Sequence, residues 1–151
     1  MAEQSSGNTE IECSFSSSTG SCCGEVICLA ECKKDTSGHL RYFKTQSNID
    51  EISLILGRRG IFFDTNPTVS RRLDLVYICQ RHRDSYGVYW KRSKTGCSYP
   101  KHQGSGKSAD RTIGLEVSQE IFCMYQVVVP VGSGKHCYPI LNYTYWSSMY
   151  F

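Results

Sequence analysis

The sequence lacks a long apolar run. No hydrophobic stretch approaches the roughly 18 residues that a membrane-spanning helix needs, so we expect no membrane span. The first residues, MAEQSSGNTEIEC, are polar and acidic and contain no apolar segment of the kind found in secretory signals. We therefore expect a chain that is not exported.

An even complement of cysteines is also missing, because the chain has nine. A disulfide framework usually requires an even number of cysteines and an oxidising compartment. An odd count without an export signal argues against that class of protein. Metal ligation in the cytosol or nucleus accounts better for so many cysteines.

The length of 151 residues suits one domain with a flexible arm. Residues 1–21 are rich in Ser, Gly and Thr and nearly devoid of apolar side chains, so they predict a disordered N-terminal arm. Cys13 lies in this arm and is not expected to be a ligand. Residues 22–151 are predicted to form a single zinc-binding domain.

Two closely spaced ligand pairs give the strongest functional signal. Cys79 and His82 form a Cys-x2-His pair, and Cys97 and His102 form a Cys-x4-His pair fourteen residues further on. Each pair can supply two ligands from one turn, and the insert lets the second pair close a tetrahedral site. The spacing predicts one structural zinc ion on these four residues, although accidental Cys and His remain the alternative.

A second zinc site is a further expectation. Cys28 and Cys32 form another close pair, and Cys137 from the far end of the chain, with Cys23 or Cys22, would complete four ligands. The alternative is that these cysteines are buried thiols. Cys123 lies between apolar residues of a predicted helix and is expected to be buried.

Short elements of both kinds predict an α+β fold with short antiparallel strands and two or three short helices. Asn48 as N-cap and Gly57 as stop predict a helix over 49–56, and apolar spacing predicts another over about 117–126. A helical turn is also expected from Pro67. The predicted strands include HLRYFKT (39–45), GIFFDT (60–65), DLVYIC (74–79), YGVYWK (86–91) and VVVPV (127–131).

Positive charge concentrates around the predicted zinc site. Residues 79–111 hold eight Lys or Arg against two acids, whereas residues 1–57 hold eight acids against four bases. Cations on a loop that a metal holds rigid are candidates for phosphate contacts. The predicted nucleic-acid-binding residues are Arg81, Arg83, Lys91, Arg92, Lys94, Lys101 and Lys107.

Aromatic residues within the insert have two interpretations. Strand alternation would bury one of Tyr89 and Trp90 and expose the other, whereas stacking on bases would favour single strands. Arg92 or Lys94 is the candidate to reach base edges, because Arg and Lys pair with guanine acceptors.

The combined pattern predicts a zinc-stabilised, non-enzymatic module that binds nucleic acid. The expected ligand is double-stranded DNA, and the expected role is transcription or chromatin regulation in the nucleus. The alternative is a zinc-built protein-interaction module of the chromatin or ubiquitin type, which would use the aromatic C-terminal tail. A metal-dependent nuclease is less favoured, since four ligands would leave zinc no open position.

Overall fold

The computed structural model shows a small α+β fold, which confirms the predicted fold class. The part of the chain that it describes contains four α-helices, one or two more than expected, and two short antiparallel strand pairs. The described residues are 10–16, 23–46, 48–62, 72–93, 96–100, 109 and 111–135. The helices are α1 (Ser37–Tyr42), α2 (Glu51–Arg59), α3 (Gln80–Tyr86) and α4 (Leu115–Tyr125), and the strands are β1 (Val26–Cys28), β2 (Tyr77–Cys79), β3 (Arg111–Thr112) and β4 (Gly134–Lys135).

The first strand pair joins distant parts of the chain. Strand β1 runs antiparallel to β2, with Val26 opposite Cys79 and Cys28 opposite Tyr77. Short 3-10 turns, Leu29–Glu31 after β1 and Leu73–Leu75 before β2, flank the pair. The predicted strand over 74–79 is therefore confirmed only in its second half.

Residues 10–16, which fall within the predicted N-terminal arm, are hydrogen-bonded to strand β2. The backbone nitrogen of Ser14 donates to the carbonyl of Tyr77, and the Tyr77 nitrogen donates to Ser14 Oγ. Cys13 and Phe15 are both 5 % exposed. These two side chains fold over β2 and gain free energy by leaving water, whereas Ile11 in the same stretch is 56 % exposed.

Helix α2 owes its limits to two caps. The side chain of Asp50 accepts a hydrogen bond from Ser53 N at 2.7 Å, so the N-cap is Asp50 rather than Asn48. Gly60 ends the helix with φ of 83°, a conformation that glycine adopts without steric cost. The predicted stop at Gly57 is therefore wrong.

Two predicted strands fold differently. The segment 39–45 contributes to helix α1, because Leu40 and Phe43, three positions apart, are both buried on one helical face. The segment 86–91 forms the end of α3 and a turn at Gly87 instead of a ribbon. Helix α3 itself, which directly follows Cys79, is not among the predicted elements.

Helix α4 begins two residues before its predicted start and ends one residue before its predicted end. Within the helix, Ser118 donates a buried hydrogen bond to the Val129 carbonyl at 2.6 Å. Cys123 is exposed, which corrects the expected burial. The helix buries Ser118 and Ile121, and a residue two positions beyond Ile121 lies on nearly the opposite face.

The main core lies beneath the β1–β2 pair and determines where the site forms. Leu29, Ile55 and Ile78 are fully buried there, and Cys32 and Cys79 border them. Ile61 and Phe62, from the predicted strand over 60–65, belong to no strand, and residues 63–71, including the turn predicted at Pro67, lie outside the described residues.

None of the described helices could cross a membrane, since the longest has 11 residues and a span needs about 20.

Candidate metal centre

Three cysteines and one histidine converge at one end of the β1–β2 pair. The ligand atoms of Cys13, Cys23, Cys79 and His82 all lie within 4.8 Å of one another. Cys13 and Cys79 are buried and the other two are half-buried. This is the one group of three or more metal-ligating side chains among the residues that the structure describes.

The junction between β2 and α3 builds half of this site. Cys79 ends the strand and is the N-cap of the helix, where its Sγ accepts a hydrogen bond from His82 N at 3.5 Å. His82 stands in the first helical turn, so its ring returns towards the sulfur. A Cys-x2-His spacing at a strand-to-helix junction thus places both ligand atoms on one side of the turn.

The other half comes from the N-terminal part of the chain. Cys13 is held over β2, and its Sγ accepts from the backbone nitrogen of Cys79 at 3.3 Å. Cys23 precedes β1, whose register places Val26 opposite Cys79. Strand pairing therefore delivers Cys23 to the same end of the sheet as Cys79.

Distances to the histidine ring are compatible with a coordination shell. His82 Nδ1 lies 3.4 Å from the sulfur of Cys13, 3.5 Å from that of Cys23 and 3.2 Å from that of Cys79. One ring nitrogen has a single hydrogen or a single lone pair and cannot bond three sulfurs. A tetrahedral zinc with its usual bond lengths would separate nitrogen and sulfur by about 3.5 Å. The four residues therefore fit one metal ion.

Burial and hydrogen bonding act on the protonation of two of the cluster thiols, Cys23 and Cys79. Burial and the neighbouring thiols of Cys79 and Cys13 raise the pKa of Cys23 to about 12. Burial also opposes ionisation of Cys79, but hydrogen bonds from the backbone of His82 and from the other two thiols outweigh it and lower its pKa. Without a cation a thiolate is thus favoured at Cys79 and disfavoured at Cys23, whereas a bound divalent ion would stabilise a thiolate at both.

The surroundings of the His82 imidazole favour its neutral form, which is the form that binds metal. Burial, with repulsion from Arg81 and Arg59, lowers the pKa of His82. The rings of Phe15 and Tyr86 lie beside it, with centroids 6.4 and 6.3 Å from the imidazole. This aromatic shell limits the access of water to the cluster.

Two residues of the predicted zinc quartet, Cys79 and His82, lie in this cluster. Cys13 and Cys23 are the other two potential ligands that the described residues bring together there. Cys97 lies by the second sheet, where the next residue, Ser98, donates its backbone N–H to the Gly134 carbonyl. His102 lies outside the described residues.

The predicted second site does not form among the described residues. Cys23 belongs to the cluster just described, and Cys28 Sγ donates to the Leu73 carbonyl at 3.5 Å. Cys32 is 2 % exposed, and burial raises the pKa of its thiol, as expected for a core cysteine. Cys137 lies outside the described residues.

Cys13 is the ligand that sequence reasoning missed. The signal available for it was the alternation of Ile11, Cys13 and Phe15 in an otherwise polar stretch. Such spacing places side chains on one face of an extended segment, and here Cys13 and Phe15 are buried whereas Ile11 is exposed.

The predicted nucleic-acid-binding cations fall into three groups. Arg81 and Lys91 are exposed. Arg83 is paired with the buried carboxylate of Glu51 at 2.7 Å, and Arg92 donates through Nε and Nη2 to the Gly132 carbonyl, so both have internal partners. Lys94, Lys101 and Lys107 lie outside the described residues.

Tyr89 is exposed and Trp90 is packed against other side chains, as alternation along a strand predicts, although neither residue lies in a strand. Tyr89 is 65 % exposed, with Lys34 Nζ 5.4 Å from its ring centre. Trp90 packs between Phe43 and the guanidinium of Arg58, which lies 4.2 Å from its ring centre. Trp90 is thus a packing residue.

No family model, no curated protein and no solved structure matches this chain. The case for a metal centre therefore rests on the geometry of the four side chains. Three thiolates and one imidazole are soft and borderline ligands that favour zinc over magnesium, calcium or manganese.

Proposed function

We propose that the chain is a zinc-stabilised module that binds nucleic acid, with DNA in the nucleus as its target. The observation that carries the proposal is the Cys13–Cys23–Cys79–His82 cluster. Four protein ligands fill a tetrahedral shell, which is the pattern of a structural site rather than a catalytic one. The metal would fix residues 10–16, β1 and the start of α3 in one arrangement.

The charge around α3 supports nucleic acid as the ligand. Arg81 lies exposed in the first turn beside the ligand His82, and Lys91 lies exposed beyond the turn that follows the helix. Both belong to the segment 79–111, in which eight basic residues face two acids. Cations held by a metal-fixed helix can meet phosphates with little loss of conformational freedom.

Metal analysis and a chelation experiment test the structural half of the proposal. Purified full-length protein is expected to contain zinc at the cluster, and a strong chelator is expected to abolish both its cooperative unfolding transition and its nucleic-acid binding. A protein that stays folded and binds equally well after complete zinc removal would contradict it. Such small sites derive much of their folding free energy from the metal.

A salt titration tests the nucleic-acid half. Binding of zinc-loaded protein to labelled duplex DNA, single-stranded DNA and RNA is measured by fluorescence anisotropy over a range of salt concentrations. The double variant Arg81→Ala/Lys91→Ala should weaken binding and flatten the slope of log K against log salt by about 2, at roughly 0.9 per phosphate contact on duplex DNA. The matched control is Lys33→Ala/Arg72→Ala, which removes two exposed cations outside the segment.

A protein-interaction module is the second candidate, favoured by one surface feature. Met124, Val127 and Val128 at the end of α4 are 48 %, 46 % and 40 % exposed. Neighbouring exposed apolar side chains are typical of docking surfaces for proteins. Absence of binding to every nucleic-acid probe at low salt, by zinc-loaded protein, would favour this candidate.

A further inference from the structure

An open basic cavity lies between the end of α1 and the β3–β4 pair. Its volume is about 410 Å³, within the usual range for sites that bind small molecules or single nucleotides. Four cations line it, and none of its described lining residues is acidic. These cations are Lys44, Arg92, Arg111 and Lys135.

The β3–β4 register places two of these cations side by side. Arg111 lies directly opposite Lys135 in the antiparallel pair. Side chains at such positions are about 5 Å apart at Cβ, and like charges there destabilise a sheet. The chain thus carries an unfavourable pair of charges at the cavity wall, and a bound anion would remove the repulsion.

Arg92 is fixed in place at another wall. Its Nε and Nη2 donate to the Gly132 carbonyl at 2.9 and 2.7 Å, and its guanidinium lies 5.3 Å from the ring centre of Phe43. A guanidinium held at two points loses little entropy when it meets an oxyanion. Arg92 is therefore preorganised at the cavity.

The third wall combines a constrained lysine with an exposed aromatic ring. Lys44 has φ of 53°, uncommon for a residue with a side chain, and its carbonyl accepts from Thr112 Oγ1 at 2.9 Å. Tyr42 is 80 % exposed and meets Phe43 edge-on, with ring centres 5.0 Å apart. A broad aromatic face beside several cations is the combination that single-stranded nucleic acids use.

We propose that this cavity binds an unpaired nucleotide of a nucleic-acid strand, with its phosphate among Lys44, Arg111 and Lys135 and its base stacked on Tyr42. The inference rests on the proposed nucleic-acid function and refines it. The Tyr42 face can stack only on a base that is not enclosed in a duplex, so single strands should bind here more tightly than duplexes. Arg92 gives the cavity a further fixed cation.

Anisotropy titrations with a labelled single-stranded oligonucleotide and its duplex test this assignment on zinc-loaded, full-length protein. Tyr42→Ala should weaken single-strand binding by roughly tenfold, and Tyr42→Trp should restore it, because stacking needs only an aromatic face. Duplex affinity should change much less. Arg111→Ala/Lys135→Ala should flatten the single-strand salt slope by about 1.4, at roughly 0.7 per contact.

Lys33→Ala, which removes an exposed cation away from the cavity, is the control for Lys135→Ala. Lys135→Ala should bind single strands more weakly than the control and yet unfold at no lower temperature, since it removes a repulsive pair. Cavity variants that bind single strands as tightly as Lys33→Ala would overturn the inference while leaving the proposed function intact. Failure of the unaltered protein to bind any nucleic acid would overturn both.

Discussion

At the residue scale, the metal centre distinguishes cysteines that the sequence alone cannot distinguish. Cys13 and Cys97 each lie outside the Cys79–His82 pair, and the spacing pattern favoured Cys97. The structure instead places the sulfur of Cys13 3.4 Å from His82 Nδ1. The predicted ligand set makes Cys97 essential for zinc binding and Cys13 dispensable. The set found in the structure makes Cys13 essential and Cys97 dispensable.

Cys13→Ser should remove the zinc and most of the stability, because ligand binding contributes on the order of 10 kcal/mol in structural sites. Zinc content by mass spectrometry and thermal unfolding by circular dichroism measure both effects. Cys123→Ser, at an exposed cysteine outside the cluster, is the matched control and should behave like the unaltered protein. A Cys13→Ser protein that keeps zinc at the cluster and unfolds normally would exclude Cys13 as a ligand.

At the element scale, a buried ion pair joins α2 to α3 and so orients the helix that carries His82. Glu51 is 1 % exposed, and its two carboxylate oxygens accept from Arg83 Nε and Nη2 at 2.7 and 2.9 Å. The backbone nitrogen of Lys34 also donates to Glu51 at 2.7 Å. Burial opposes ionisation of this carboxyl, but these donors outweigh it and lower its pKa.

Glu51→Gln should therefore lower the free energy of unfolding by about 3 kcal/mol, because it leaves a largely buried guanidinium without its counter-charge. Urea denaturation of zinc-loaded protein gives the value. Glu31→Gln, at an exposed carboxylate, should cost less than about 0.5 kcal/mol. In a double-mutant cycle with Arg83→Met, the two effects should be far from additive. Additive effects would mean that the pair does not couple the helices.

At the scale of the whole molecule, Arg58 connects four parts of the chain. Its guanidinium donates to the carbonyls of Val131, Tyr86 and Gly87 and contacts His39 Nε2 at 2.9 Å. His39 must accept this hydrogen bond, so its ring is neutral in the fold. Burial and the positive charge of Arg58 lower the pKa of His39 to about 4.

Stability should consequently depend on pH in a defined window. The unfolded chain binds a proton at His39 below its ordinary pKa of about 6.5, whereas the folded chain does so only near pH 4. The unfolded state holds more protons between these values, so stability falls as the pH is lowered from about 6.5 to 4. His39→Gln keeps an acceptor for Arg58 without titrating and should show a shallower fall.

Melting temperatures of the two proteins across this pH range provide the measurement. Acid also protonates the metal ligands, and that contribution is common to both proteins. The difference between the curves therefore isolates His39. Parallel curves would show that His39 does not carry this dependence.

Local signals in the sequence determined part of this protein. Asp50 and Gly60 set the ends of α2 through interactions within a few residues, and apolar spacing located α4 within two residues. The Cys79–His82 pair could also be predicted from its spacing, because both residues come from one strand-to-helix junction. The fold class and the metal-binding chemistry followed from such short-range patterns.

The partners of that pair were decided by tertiary structure. Cys23 and Cys13 lie 59 and 69 positions from His82, and only the β1–β2 register and the packing of residues 10–16 bring them together. The same applies to Arg83, whose charge predicted a surface role and whose partner Glu51 lies 32 positions away. Spacing along a chain reports contacts within a turn, whereas these contacts depend on which distant segments bury their apolar sides against one another.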